Sequence, residues 1–137
     1  MSDRPRAAKT VKESQHESSE LMMPQDANNL GHIFGGVILS YIDQAGAIEA
    51  RRQGLQFMVT VSMDKVVFHE PVFVGDLVSF WTETLRIGTT SITTRVEVEA
   101  IRADDHANRV TVTEAQVVYV NLGPDRKIAA IHQRDKF

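Results

Sequence analysis

Asp43 is the ionisable side chain in this 137-residue chain that most needs an explanation, because it stands inside the apolar run Val37-Ile38-Leu39-Ser40-Tyr41-Ile42-Asp43-Gln44-Ala45-Gly46-Ala47-Ile48. A carboxylate there is costly unless it is hydrogen-bonded, paired or open to a cleft. Ser40, Asp43, Gln44 and Ala47 fall at the spacing of one helical face, so the polar groups form a single stripe. Two readings fit Asp43: a group that acts on a ligand, or a carboxylate that bridges a subunit contact. Upstream, Gly35-Gly36 opens the run. A helix that starts on two glycines leaves unpaired N–H groups at the positive end of its dipole, with no side chain blocking an oxyanion. Close packing alone would also account for the pair.

Gly36 and Asp43 are seven residues apart, about 10 Å along a helix that rises roughly 1.5 Å per residue. A single substrate centre needs donor and base each at roughly 3 Å. One helix cannot supply both. Two helices antiparallel across a two-fold axis can, which predicts a homodimer with two composite sites, each joining Asp43 of one chain to the Gly36 N–H of its partner.

The composition narrows the chemistry further. Fifteen basic against 18 acidic residues give a net charge of −3, which argues against a nucleic-acid partner held by phosphate attraction. There is no cysteine, hence no disulfide, thiolate zinc site or cysteine nucleophile, as suits the cytoplasm. His16, His32, His69, His106 and His132 show no ligand spacing, so no metal site is expected. Ser40 lacks the Gly-x-Ser-x-Gly elbow of a serine hydrolase. No run is long and apolar enough to span a bilayer.

The elements that must position these groups follow from periodicity. Residues 1–17 are charged and read as a disordered tail, with one domain over 18–137. Ser18 to Met23 forms a short edge strand, ended by Pro24 and a turn-rich stretch. The helix runs from Gly35 to Arg52, with Arg51 and Arg52 complementing its dipole and Gly54 stopping it. From Phe57 the period is two: Phe57, Val59, Val61 and Met63 alternate with Met58, Thr60 and Ser62, one face on a core. Lys65 to His69 continues extended. Leu77–Leu85 is the next strand, Arg86–Thr90 a turn, and a long strand carries Ile92, Thr94, Val96, Val98 and Ala100 on one face. Ala103–Asn108 is a polar connection, Arg109–Asn121 the last strand, and Leu122 to Phe137 is unassigned. The packing implied is α+β, a curved antiparallel sheet wrapped around one helix. A helix apolar on nearly every side cannot be covered by one sheet, so its open side meets a second subunit.

The run Pro24-x-Asp26-Ala27-Asn28-x-x-Gly31-x-Ile33-Phe34-Gly35-Gly36-x-Ile38-x-x-x-x-Asp43 resembles the signature of the hot-dog acyl-CoA thioester hydrolases. Thr60-Val61-Ser62-Met63-Asp64, His69-Glu70-Pro71-Val72, Val74-Gly75-Asp76 and Arg86-Ile87-Gly88-Thr89-Thr90-Ser91 are similar to the same family, over about residues 20–121. The resemblance implies a hot-dog fold that dimerises, often as trimers of dimers, and hydrolysis of acyl-CoA to free acid and CoA without a metal or further cofactor. It assigns Asp43 as general base or nucleophile, Asn28 as the group that positions thioester or water, and the Gly36 N–H as the carbonyl polariser. Gly35, Gln44 and Thr60 would line the site. Arg86, Gly88, Thr89, Thr90 and Ser91 would meet the CoA phosphates, with Arg126 and Lys127 as further candidates. Asp26 stands where some members carry His. The rival from another class is a non-catalytic acyl-CoA or nucleotide-binding protein on the same scaffold.

Overall fold

The computed structural model describes residues 14–132. The segment read as a tail lies, for residues 1–13, outside the described residues, as do residues 133–137. The elements are β1 (Gln15–Leu21), a 3-10 turn (Pro24–Asp26), α1 (Gly35–Arg52), β2 (Phe57–Phe68), β3 (Leu77–Ile87), β4 (Ser91–Arg102) and β5 (Asp105–Leu122). The five strands form one antiparallel sheet in the order β1-β3-β4-β5-β2, so β1 and β2 are its edges.

Helix α1 has the bounds its sequence predicts, and Gly54 at φ +116° ends it. Ile38, Ile42, Ala45, Gly46, Glu49 and Ala50 face the sheet at helical spacing, against Val78, Phe80, Ile92, Val96, Val98, Val112 and Val117. Three of the six are alanine or glycine, which lets the helix axis sit close to the strands. The opposite side is open in the single chain: Gly36, Ser40, Gln44 and Ile48 are exposed. The helix is therefore buried on one face rather than nearly all round, which leaves an apolar flank to be covered.

Four readings of the strands need correction. Gln15, His16 and Glu17, placed in the tail, belong to β1. Glu17 takes both Arg52 Nη atoms, at 2.6 and 2.9 Å, and the Thr82 hydroxyl at 2.7 Å. A local composition rule cannot see that the helix C-terminus waits for this carboxylate. The connection read at Ala103–Asn108 is mostly strand: a two-residue turn at Ala103-Asp104 joins Arg102 to its partner Asp105, and residues 105–108 are exposed, so no apolar alternation marks them. Arg86 lies in β3, paired with Thr93, and the turn is confined to Gly88–Thr90.

The fourth correction concerns β2. Pairing with β5 slips between Thr60 and Ser62, leaving Val61 as an extra residue. A bulge of this kind changes which parity faces the core. Met58, Thr60 and Met63 lie on the helix side, while Phe57, Val59 and Val61 are 44%, 47% and 58% exposed. The apolar alternation in β2 thus marks a surface rather than the core of this chain.

The C-terminal stretch that sequence left unassigned folds back over the end of β5. Ala129 N–H donates to the Asn121 carbonyl, Ile131 N–H to that of Thr89, and the Asn121 amide to the carbonyls of Ala129 and Ala130.

Candidate active site

Asp43 sits at the border between the exposed stripe of α1 and its buried face. Thr60 Oγ1 donates to Asp43 Oδ1 at 2.9 Å. The Tyr119 hydroxyl donates to the Asp43 backbone carbonyl at 2.6 Å and lies 3.1 Å from the same Oδ1. Thr60 and Tyr119 are cross-strand partners on β2 and β5, and Tyr119 is in turn the partner of Ile92 on β4. Side chains directly opposite rise together from a sheet, so this row delivers two hydroxyls to one carboxylate oxygen. Among the described residues no donor reaches Oδ2. Burial first, and the Asp43 charge second, push the Tyr119 phenol well above its ordinary range, so it stays an O–H donor at any working pH.

The helix start is built by the preceding loop. Asn28 Oδ1 accepts the N–H groups of Leu30 at 2.8 Å and His32 at 3.1 Å, an Asx-type closure that leaves the amide Nδ2 as the free end of the side chain. Gly31 at φ +83° makes the turn. Ile33 N–H to the Val72 carbonyl and Val74 N–H to that of Gly31 fasten the loop to residues 72–74. That support is anchored by the buried pair Arg102–Asp76 at 2.6 Å, with Arg102 also donating to the Pro71 carbonyl.

The two glycines have different jobs. A Cβ on Gly35 would stand 3.2 Å from Phe68 Cζ, whereas a Cβ on Gly36 would meet nothing within 4 Å. Close packing thus explains Gly35 and leaves Gly36 unexplained within the chain. No side chain caps the helix and no acidic residue stands in its first turn, so the positive dipole end is unopposed. A cleft of about 290 Å³ adjoins it, with Ile33, Gly35, Ile38, Phe68 and Val72 in its wall. A larger cleft, about 440 Å³, lies under the C-terminal segment beside Phe57 and Asn121 and has no residue of α1 in its wall, whereas the smaller one reaches the helix start through Gly35. Size alone would misplace the site.

Of the residues singled out from sequence, Asp43 and Thr60 meet directly. Asn28, Gly35 and Gly36 lie together at the helix start, seven residues from Asp43 along the same helix. Gln44 turns to Ser40, 3.5 Å away, rather than to Asp43. Gly88, Thr89 and Thr90 form the β3–β4 turn, Ser91 opens β4, and the Ser91–Val120 pair adjoins the Ile92–Tyr119 row. The Arg86 guanidinium curls back to this turn, its Nη2 3.9 Å from a Cβ placed on Gly88. Tyr119 was missed. Its signal was a tyrosine in an apolar strand, whose hydroxyl must find a partner once buried.

The model of the Thioesterase superfamily matches residues 30–104, more than half of the chain. The chain belongs to the thioesterase superfamily. Among relatives of this thioesterase is the acyl-CoA thioester hydrolase YciA of Salmonella typhimurium, 38% identical over 78% of this chain and 82% of that protein. Among solved structures, Cj0915, a hexameric hotdog fold thioesterase of Campylobacter jejuni, superposes with a TM-score of 0.81 at 43% identity, covering 90% and 93% of the two chains. HI0827, described as a hexameric broad specificity acyl-coenzyme A thioesterase, reaches 0.84 at 29% identity over 98% and 91%. The expected hot-dog architecture is the one observed. Among the described residues of this thioesterase no group of three or more His, Asp or Glu could hold a metal ion, and no helix is long and apolar enough to cross a membrane.

Proposed function

We propose that this thioesterase hydrolyses acyl-CoA thioesters to the free acid and CoA, with Asp43 driving attack on the carbonyl, as general base toward water or as nucleophile. The observation that carries it is the state of Asp43: two hydroxyls converge on Oδ1, and Oδ2 is left to act. In the base route Oδ2 takes a proton from water, the oxygen adds to the carbonyl, and the oxyanion rests on the Gly36 N–H. Collapse expels the CoA thiolate, which recovers the proton. The Asn28 amide orients thioester or water. The acyl chain enters the cleft beside Gly35, along Ile33, Ile38, Phe68 and Val72, with His69 and Glu70 also in the wall. Gln44 borders the site, and Arg86 with the Gly88–Ser91 turn takes the CoA phosphates. CoA arrives as part of the substrate.

The open flank of α1 and the roughly 10 Å between Gly36 and Asp43 along a helix support a site shared across a dimer, Asp43 from one chain and Gly36 from the other. The hexameric relatives support a trimer of such dimers. Release of CoA from a panel of acyl-CoAs, read with a thiol reagent, tests the activity: turnover is expected and must vanish in Asp43→Ala. Binding without CoA release at any chain length would sink it in favour of a non-catalytic acyl-CoA-binding protein. Coexpressing Asp43→Ala with Gly36→Val tests the sharing. Each variant alone is expected to be inactive, and mixed dimers to regain turnover because they hold one intact site. Absence of complementation in verified mixed dimers would place both groups in one chain.

A further inference from the structure

Tyr119 does more for Asp43 than fill the sheet. We propose that Tyr119 is a positioning residue for hydrolysis: its hydroxyl, seated under the helix by Gly46, locks the Asp43 carboxylate in the rotamer that presents Oδ2. This rests on Asp43 being the group that acts. Three observations carry it.

The first is the pairing of contacts. One hydroxyl reaches both the main-chain carbonyl of Asp43, at 2.6 Å, and its side-chain Oδ1, at 3.1 Å. A group that holds only the carbonyl would tether the helix and leave the carboxylate free to rotate; a group that holds both ends fixes the torsion between them. Thr60 alone, on an exposed edge strand, holds Oδ1 from one side.

The second is the space made for it. A Cβ on Gly46 would lie 2.5 Å from the Tyr119 hydroxyl, 2.9 Å from Thr94 Oγ1 and 3.2 Å from Tyr119 Cε2. Glycine inside a helix is unfavourable relative to alanine. At position 46, three residues after Asp43, that disadvantage is offset by room for the Tyr119 hydroxyl, the nearest atom, and for Thr94 Oγ1.

The third is isolation. Tyr119 is 1% exposed, so its hydroxyl has no bulk water to bond and is committed to Asp43. Phenylalanine keeps the ring and its packing, which separates the hydroxyl's role from the core's.

The experiment compares wild type, Tyr119→Phe, Gly46→Ala, the double variant and Asp43→Ala by steady-state kinetics on one acyl-CoA, with unfolding midpoints in urea measured alongside. Tyr119→Phe is expected to lower kcat about tenfold, the scale of one hydrogen bond to a charged group, with KM changed less than about twofold, because the bond acts on the attacking group rather than on substrate affinity. Gly46→Ala should reproduce that loss by displacing the hydroxyl, and should cost kcat less in the Phe background than in wild type. An unchanged kcat in Tyr119→Phe beside an inactive Asp43→Ala overturns the proposal and leaves Asp43 in its role. A rise in KM at constant kcat, or a lowered urea midpoint with full kcat, overturns it too, since either is what a purely structural tyrosine gives. Activity in Asp43→Ala instead removes the premise about Asp43 itself.

Discussion

Thr60 on β2 and Asp43 on α1 are joined by a 2.9 Å hydrogen bond from hydroxyl to Oδ1, made at the residue just before the Val61 bulge. Without the extra residue at Val61 the strand could not carry Thr60 toward the helix and still place Met63 there. Replacing Thr60 by Val is expected to reduce kcat about tenfold by removing a hydrogen bond to a carboxylate, whereas Ser should retain most of it. Steady-state kinetics of the two variants checks this, and full activity in Thr60→Val beside a loss in Thr60→Ser would show that the methyl, not the hydroxyl, matters.

Gly36→Ala should separate stability from activity. Its methyl meets nothing of this chain and glycine is entropically costly, so the fold should gain about 0.4–1 kcal/mol, read in urea below the enzyme's working concentration. Turnover should nevertheless fall under the proposed role of the Gly36 N–H, because the methyl would crowd the approach of the carbonyl oxygen; unchanged turnover would remove Gly36 from that role.

Phe68 lies over Gly35 and walls the 290 Å³ cleft while remaining half exposed. Phe68→Ala is expected to move the chain-length optimum of kcat/KM toward longer acyl groups with little change in stability. An unchanged profile across the panel would place the acyl chain elsewhere.

The Arg102–Asp76 pair is buried at both ends and holds the 71–76 segment on which the Asn28 loop rests. Arg102→Met leaves Asp76 buried without its partner, a change that costs about 3–5 kcal/mol. The urea midpoint should drop accordingly, and restoring it with a hydrophobic replacement of Asp76 in the same chain would confirm that the loss came from the stranded charge.

On the sheet face away from the helix, Glu114 accepts from His69 at 2.7 Å and from Arg95 at 2.7 Å. His69 first and Arg95 second hold its carboxyl below the ordinary 4.5. A depressed folded-state value contributes stability that is present above 4.5 and is lost as pH falls through the lower folded value. Wild type should therefore exceed Glu114→Gln in melting temperature by a constant margin near neutrality, and the margin should close below about pH 4.5 as Glu114 protonates and wild type, like the Gln variant, is neutral at this position. A margin independent of pH from 7 to 3 would refute the assignment.

Sequence alone determined the parts that depend on neighbours in the chain. The bounds of α1 follow from Gly35-Gly36, the apolar spacing and Gly54, each a local effect on backbone freedom and capping. The strand segments follow from alternation, and Asn28, Gly36 and Asp43 were marked by a motif long enough to be specific. The partners of Asp43 were not readable in the same way. Tyr119 lies 76 residues away, and it reaches the aspartate only because β5 pairs with β2 and Gly46 leaves a gap in the helix. The orientation of β2 depended on one unpaired residue at Val61, which alternation cannot register because a bulge leaves the apolar pattern intact while moving it to the other face. Likewise Glu17 looked like tail because charge is the mark of solvent exposure until a distant Arg52 makes it an ion pair. Periodicity reports which face of an element is apolar; only the assembled sheet decides what that face meets.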